Sequence, residues 1–103
     1  MNAVNEKPIG SPYSARNMAK PVTFYCAAPR AKSVYLVGDF NSWDPTAILM
    51  MRRSDGWWFT QLLLCHGHHQ YLFLIDGKPT LDPQATGIAR NEDNENVSLR
   101  SVS

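Results

Sequence analysis

Charge of one sign is what this 103-residue chain most plainly lacks: ten Lys and Arg against nine Asp and Glu leave a formal net charge of +1. Non-specific attachment to nucleic acid or to an acidic membrane surface draws on a basic excess, so neither is expected as a partner. Long hydrophobic runs are missing too. No apolar stretch exceeds five residues, Ala47–Met51 being one, whereas a membrane-spanning helix needs about 20. The first twenty residues have no apolar h-region and are broken by Pro8, Gly10 and Pro12, so no secretory signal is read there. Cysteine is scarce. Cys26 and Cys65 are too few for a disulfide scaffold, which makes a reducing cytoplasm the expected location. One bridge between them stays open beside the reading of Cys26 as a small buried hydrophobe.

Catalytic signatures are absent as well. Neither a G-x-S-x-G elbow nor a glycine-rich phosphate loop occurs. Asp39, Asp44, Asp55, Asp76 and Asp82 stand beside Gly, Asn or Pro, where carboxylates shape turns by bonding nearby backbone, and nothing pairs two of them as general acid and base. The Cys65-His66-Gly67-His68-His69 run has ligand types that suit zinc, but a structural site draws about four ligands from two pieces of chain. No histidine lies elsewhere and Cys26 is the only further cysteine. A hairpin corner with its imidazoles in water is the expectation, with no metal, no cofactor and no catalysis.

What is present is aromatic and β-forming. Ten of the eleven aromatics fall between Phe24 and Phe73. Residues 1–20 read as a polar N-terminal arm, and 21–103 as one domain. Strands are expected at 22–27, 33–38, 57–64, 69–75 and 96–102, with a short one near 79–81. Asp55-Gly56 and Asp76-Gly77 read as two-residue hairpin turns, because glycine accepts the positive φ such turns demand. Pro29, Pro45, Pro79 and Pro83 lie between the runs, where no ladder donor is lost. No helix is expected. Ala47–Met51 reads as a loop or an edge strand, and 90–96 as a solvated loop. Short strands with frequent turns indicate an all-β antiparallel sandwich.

Phe40-Asn41-Ser42-Trp43-Asp44-Pro45 combines an aromatic with amide and carboxylate groups, the makings of a platform for the flat C–H face of a sugar ring. Packing of Phe40 and Trp43 over the sandwich end is the alternative that composition favours. The chain is more specific than that loop alone. Val34-x-Leu36-x-Gly38-Asp39-Phe40-Asn41-x-Trp43 is followed by Asp55-Gly56-x-Trp58. Then come Gly67-x-His69-Gln70-Tyr71-x-Phe73-x-Ile75-Asp76-Gly77 and Asp82-Pro83. In that order they resemble the isoamylase N-terminal early-set domain, carbohydrate-binding module family 48. This family includes the glycogen-binding domain of the AMP-activated protein kinase β subunit and the N-terminal modules of glycoside hydrolase family 13 enzymes.

The resemblance covers about residues 20 to 102 and implies an immunoglobulin-like early-set β-sandwich. It further implies α-1,4-glucan binding (glycogen, starch or maltooligosaccharide) by a non-catalytic module without the catalytic barrel of those enzymes, with an enzyme of glycogen metabolism as a partner. Among implied contacts, Trp43 matches the stacking tryptophan and Thr80 a turn threonine. Asn41 and Asn96 would help hold the sugar. Three positions depart from the pattern: Leu72 where the family has lysine, Pro79 where it has a second tryptophan, and Glu95 where it has asparagine. Losing one platform and one charged donor implies binding weaker by about two orders of magnitude.

Alternation along 57–64 and 69–75 puts Trp58, Tyr71, Phe73 and Ile75 inward. If the two segments form one hairpin, Trp57, Phe59, Leu63, Leu72 and Leu74 share one outer face, an apolar patch of the kind that marks an interface. A homodimer or partner enzyme, or cover by the arm through Tyr13 and Met18, would account for it. An assembly module that kept the fold and lost the sugar site is therefore the alternative function.

Overall fold

Alternating apolar and polar residues sort this chain into two antiparallel sheets. The computed structural model describes residues 19–103; the arm reading of the sequence falls almost wholly on residues 1–18, outside the described residues. The strands are β1 (Lys20–Ala27), β2 (Val34–Gly38), β3 (Met51–Arg52), β4 (Trp57–Leu64), β5 (Gly67–Ile75), β6 (Lys78–Thr80), β7 (Gly87–Arg90) and β8 (Asn96–Val102), with a 3-10 turn at Asp39–Asn41. One sheet has the order β1-β4-β3. The other runs β2-β5-β8-β7, with β6 paired to β5. All pairings are antiparallel.

Even-numbered residues of β1 and β4 turn inward: Val22, Phe24 and Cys26 are buried beside Trp58 and Leu64. They meet Val34 and Leu36 of β2 and Tyr71 and Phe73 of β5 in a single core. Phe24 sits at its centre, 4.9 Å from Tyr71 between ring centroids in an edge-on arrangement that suits the two quadrupoles. The Trp58 indole N–H donates to the Ala28 carbonyl at 2.9 Å, so the largest core side chain leaves no polar atom stranded. This is the immunoglobulin-like β-sandwich expected from the sequence.

Local turn chemistry divides the two Asp-Gly signals. Asp76 (φ 50°) and Gly77 (φ 83°) are both left-handed and join Ile75 directly to Lys78, the two-residue turn expected. At Asp55-Gly56 only the glycine is left-handed. That turn is wider, running from Arg53 to Trp57, whose backbone groups bond each other at 2.7 Å. Asp55 tightens it by accepting from the Trp57 N–H.

One expectation fails. Segments 57–64 and 69–75 are not a hairpin. β4 is held between β1 and β3, while β5 lies in the other sheet beside β2 and β8. The link through Cys65 and His66 crosses between the sheets, turning at Gly67 (φ 134°). The five-residue patch is therefore split. Trp57, Phe59 and Leu63 lie on the β1-β4-β3 sheet, and Leu72 and Leu74 on the opposite one. In place of the patch, Tyr25 and Met51 pair across Phe59 on the outer face of the three-stranded sheet. Tyr25, Met51 and Leu63 are 42, 63 and 72% exposed there.

Two further elements differ in detail. Ala47–Met51 behaves as the edge reading anticipated only at its end: Leu49 makes an isolated bridge to Tyr35, and Met51 begins β3. β7 is not expected from sequence at all. Its four residues, Gly-Ile-Ala-Arg, are too few to show a period, and only pairing with β8 defines the strand.

Candidate functional site

The loop after β2 is built from its own side chains. The Gly38 N–H donates to Asn41 Oδ1 at 3.1 Å, and Asn41 Nδ2 donates to the Leu36 carbonyl at 3.1 Å. Asn41 thus spends both ends of its amide on folding the loop. The Trp43 N–H closes it by donating to the Gly38 carbonyl at 2.9 Å. Gly38 itself is required by close approach, since a Cβ there would lie 2.6 Å from the Gln70 carbonyl oxygen and from the Phe40 ring. Closure forces Ser42 (φ 57°) and Trp43 (φ 59°) into consecutive left-handed conformations. Neither is glycine, and each costs about 1–2 kcal/mol in that region. A bulky aromatic held there is a backbone outlier of the kind that clusters at ligand sites.

Asp39 stitches this loop to β5. Its Oδ2 accepts from the Gln70 N–H at 2.9 Å, and its Oδ1 lies 3.6 Å from His69 Nδ1. On the far side of the opening, Asn91 Oδ1 accepts from the N–H groups of Asp93 and Glu95 and shapes the β7–β8 turn. The result is a cleft of about 500 Å³ lined by Trp43, Asp39, Gln70, Asn91, Glu92 and Asp93. One flat apolar ring faces several amides and carboxylates. Such a cleft can stack a pyranose and accept hydrogen bonds from its hydroxyls.

Of the residues expected to hold sugar, the structure brings only Trp43 into this cleft, with Asn41 in the loop beneath it. Thr80 belongs to β6, donates to the Lys78 carbonyl, and lines a different, apolar groove. Asn96 opens β8 opposite Arg90 and is exposed. The family departures are placed as follows. Leu72 points away from the core on β5, Pro79 pairs with Leu74, and Glu95 sits in the β7–β8 turn. Gln70, Asn91, Glu92 and Asp93 are cleft residues that sequence reading misses. Gln70 carries a usable signal, being next to an inward tyrosine and so outward-facing. The 91–93 segment reads only as solvated loop, because nothing local says that it meets Trp43.

Behind the cleft, Tyr71 donates its hydroxyl to Asp82 Oδ2 at 2.6 Å, and Asp82 Oδ1 accepts from the Gln84 N–H at 2.8 Å. The Asp82 N–H in turn donates to Ser98 Oγ at 2.8 Å. Burial first, and then the carboxylate beside it, push the Tyr71 phenol well above its ordinary range. Asp82 is therefore more than a turn former; it is a buried tie between β5, the β6–β7 connection and β8.

No disulfide joins Cys26 to Cys65. Among the described residues no group of three or more His, Cys, Asp or Glu side chains gathers as metal ligands. His68 Nδ1 pairs with Ser101 Oγ at 2.8 Å, and His69 Nε2 donates to the Cys65 carbonyl at 2.9 Å. Loss of solvation on burial, with a smaller contribution from Asp82, pushes the Cys26 thiol from 9.0 up to about 11. The folded protein holds that proton more tightly than the unfolded chain. The associated stability is complete below about pH 9 and is lost as pH rises through about 11. Urea-unfolding midpoints should fall across that window, and Cys26→Ala should flatten part of the fall. An identical pH dependence in the variant would remove the thiol as a cause.

The family model described as the glycogen recognition site of AMP-activated protein kinase matches residues 21–103. The chain is 41% identical over 69 residues to 5'-AMP-activated protein kinase subunit beta-1 of Sus scrofa, covering 67% of this chain and 53% of that protein. It is 39% identical over 80 residues to the Rattus norvegicus subunit, covering 78% of this chain and 26% of that protein. It is also 44% identical over 55 residues to the 1,4-alpha-glucan branching enzyme GlgB of Synechococcus elongatus, covering 53% of this chain and 7% of that enzyme. The match thus spans about half, or less, of the length of these relatives.

Proposed function

The chain belongs to the family of carbohydrate-binding modules described as the glycogen recognition site of AMP-activated protein kinase, and we propose that it binds neutral α-1,4-glucan without acting on it. The reading rests chiefly on one observation: Trp43 is held in a left-handed backbone at the mouth of a polar cleft. In this reading the indole stacks on a glucose face. Gln70, Asn91, Glu92 and Asp93 meet the hydroxyls, replacing the family lysine that is Leu72 here. Asn41 supports the loop rather than touching sugar, and Thr80 and Asn96 stand outside the first contacts. One stacked ring and exposed hydrogen bonds contribute only a few kcal/mol, so affinity belongs in the upper micromolar to millimolar range. The cytoplasm, where glycogen-handling enzymes are the partners in view, is the proposed location.

Titration with maltoheptaose, followed by tryptophan fluorescence, tests this directly. A saturable change should appear below about 10 mM, the range set by such weak contacts. A second reading, that of a homodimeric assembly module, draws on the exposed apolar face around Tyr25, Met51, Phe59 and Leu63. No sugar response, together with a dimer mass by light scattering, would overturn the first reading in favour of the second.

A further inference from the structure

Charge is spread unevenly over a chain whose formal total is only +1. Five of the nine acidic residues, Asp39, Asp44, Glu92, Asp93 and Glu95, fall in segments 38–44 and 91–95, which face each other across the Trp43 cleft. None of the ten Lys and Arg residues does. Asp39, Glu92 and Asp93 line the cleft itself, and all three are exposed.

Little among the described residues offsets these carboxylates. Arg90 borders the second segment, but its guanidinium donates to Asn94 Oδ1 at 2.9 Å. Its register with Asn96, against that of Gln70 with Leu99, also sets it on the opposite face of the sheet from Gln70. Past Gln70 the same face of β5 continues with Leu72 and Leu74, which pair with Val37 and Tyr35 of β2 and bring no cation. His69 Nδ1, 3.6 Å from Asp39 Oδ1, is a positive charge only when protonated, and then one against three. The side-chain N–H groups of the lining are those of the Trp43 indole and the Gln70 and Asn91 amides. Such neutral donors hold an anion less strongly than an ammonium or guanidinium does.

We infer that the cleft selects its glucan by charge. It takes uncharged chain and turns away chain whose glucose hydroxyls carry phosphate monoesters, with Asp39, Glu92 and Asp93 as the specificity-determining residues. The selection rests on glucan binding at Trp43 and narrows the class of glucan that binds. A phosphate monoester brings about −1.5 to −2 charges at pH 7. A cleft of about 500 Å³ is about 10 Å across, close to one Debye length at 0.1 M salt. A phosphate on a ring stacked there is therefore repelled by all three carboxylates at once, and in dilute salt the sum weakens binding at least about tenfold. Phosphorylation of the glucan thus removes a ligand, and hydrolysis of the ester, which takes up water and releases inorganic phosphate, restores it.

Three sugars titrated into the full chain, followed by tryptophan fluorescence, test it: maltoheptaose, maltoheptaose methylated at O6, and maltoheptaose phosphorylated at O6 to the same degree. The two neutral sugars should bind alike, and the phosphorylated one at least about tenfold more weakly at about 20 mM salt. Raising the salt to about 500 mM should close most of that gap and leave the neutral curves in place. Glu92→Gln combined with Asp93→Asn should cut the ratio of phosphorylated to unmodified Kd at least about threefold, whatever it does to neutral affinity. Phosphorylated sugar bound as well as maltoheptaose would overturn charge selection and leave the glucan reading standing. A methyl penalty as large as that of phosphate would overturn it too, by making size the cause. An unchanged ratio in the double variant would overturn the assignment to these carboxylates. No response to any of the three sugars would overturn the glucan reading itself, and the selection with it.

Discussion

Trp43→Ala and Trp43→Gly should both abolish the fluorescence response to maltoheptaose, and the glycine variant should be the more stable of the two. The loss of binding follows from the cleft, where Trp43 is the only aromatic face among the described residues. Removing a stacking ring costs very roughly 1–3 kcal/mol, enough to push a weak site out of a measurable range. The order of stability follows from the backbone. At φ 59°, alanine keeps the left-handed penalty and glycine does not. Glycine should therefore exceed alanine by about 1 kcal/mol, the reverse of their order in most regular structure. Thermal unfolding measures the second part and sugar titration the first. Full binding by either variant would remove Trp43 as the platform; alanine the more stable would mean the loop relaxes once the ring is gone.

Asp82→Ala should be the most damaging single change outside the apolar core, lowering stability by about 3 kcal/mol. The carboxylate is buried at 7% exposure and accepts from both the Tyr71 hydroxyl and the Gln84 N–H. Its removal strands two donors, each worth about 1–3 kcal/mol when left unpaired, and opens a small void. For a domain of this size the melting temperature should drop on the order of 15 °C. Tyr71→Phe removes one bond and leaves the carboxylate with Gln84, so it should cost about half as much. Because the two groups share a bond, the double variant should cost less than the sum of the singles. Strict additivity in that cycle would mean that the Tyr71–Asp82 contact contributes nothing.

The sequence makes much of the fold legible, and it does so where the determinants are local. β4 and β8 lie where alternation places them, because a period of two and flanking turn residues are properties of adjacent positions. Trp58, Tyr71, Phe73 and Phe24 are core for the same reason. The Asp76-Gly77 turn is legible from two residues. β7 is not, since four residues carry no period and their pairing with β8 is the only cause of the strand. Within the site, the Gly38–Trp43 loop is readable, because its hydrogen bonds join residues within about one turn's length of one another.

The sequence by itself determined a family, a set of strands, an inward face and a tryptophan loop. Tertiary structure decided which strands are neighbours. β4 and β5 are consecutive, alternate alike and are joined by a tight link, so their local pattern suits a hairpin as well as a crossing. The competition is settled by β1 and β3 on one side and β2 and β8 on the other, partners up to tens of residues away. That choice splits the apolar residues 57, 59, 63, 72 and 74 between two sheets. It also carries Asn91–Asp93 across to Trp43, more than forty positions distant. Contacts at such separations depend on the closure of the whole sandwich, whose cost and gain no short stretch of sequence contains.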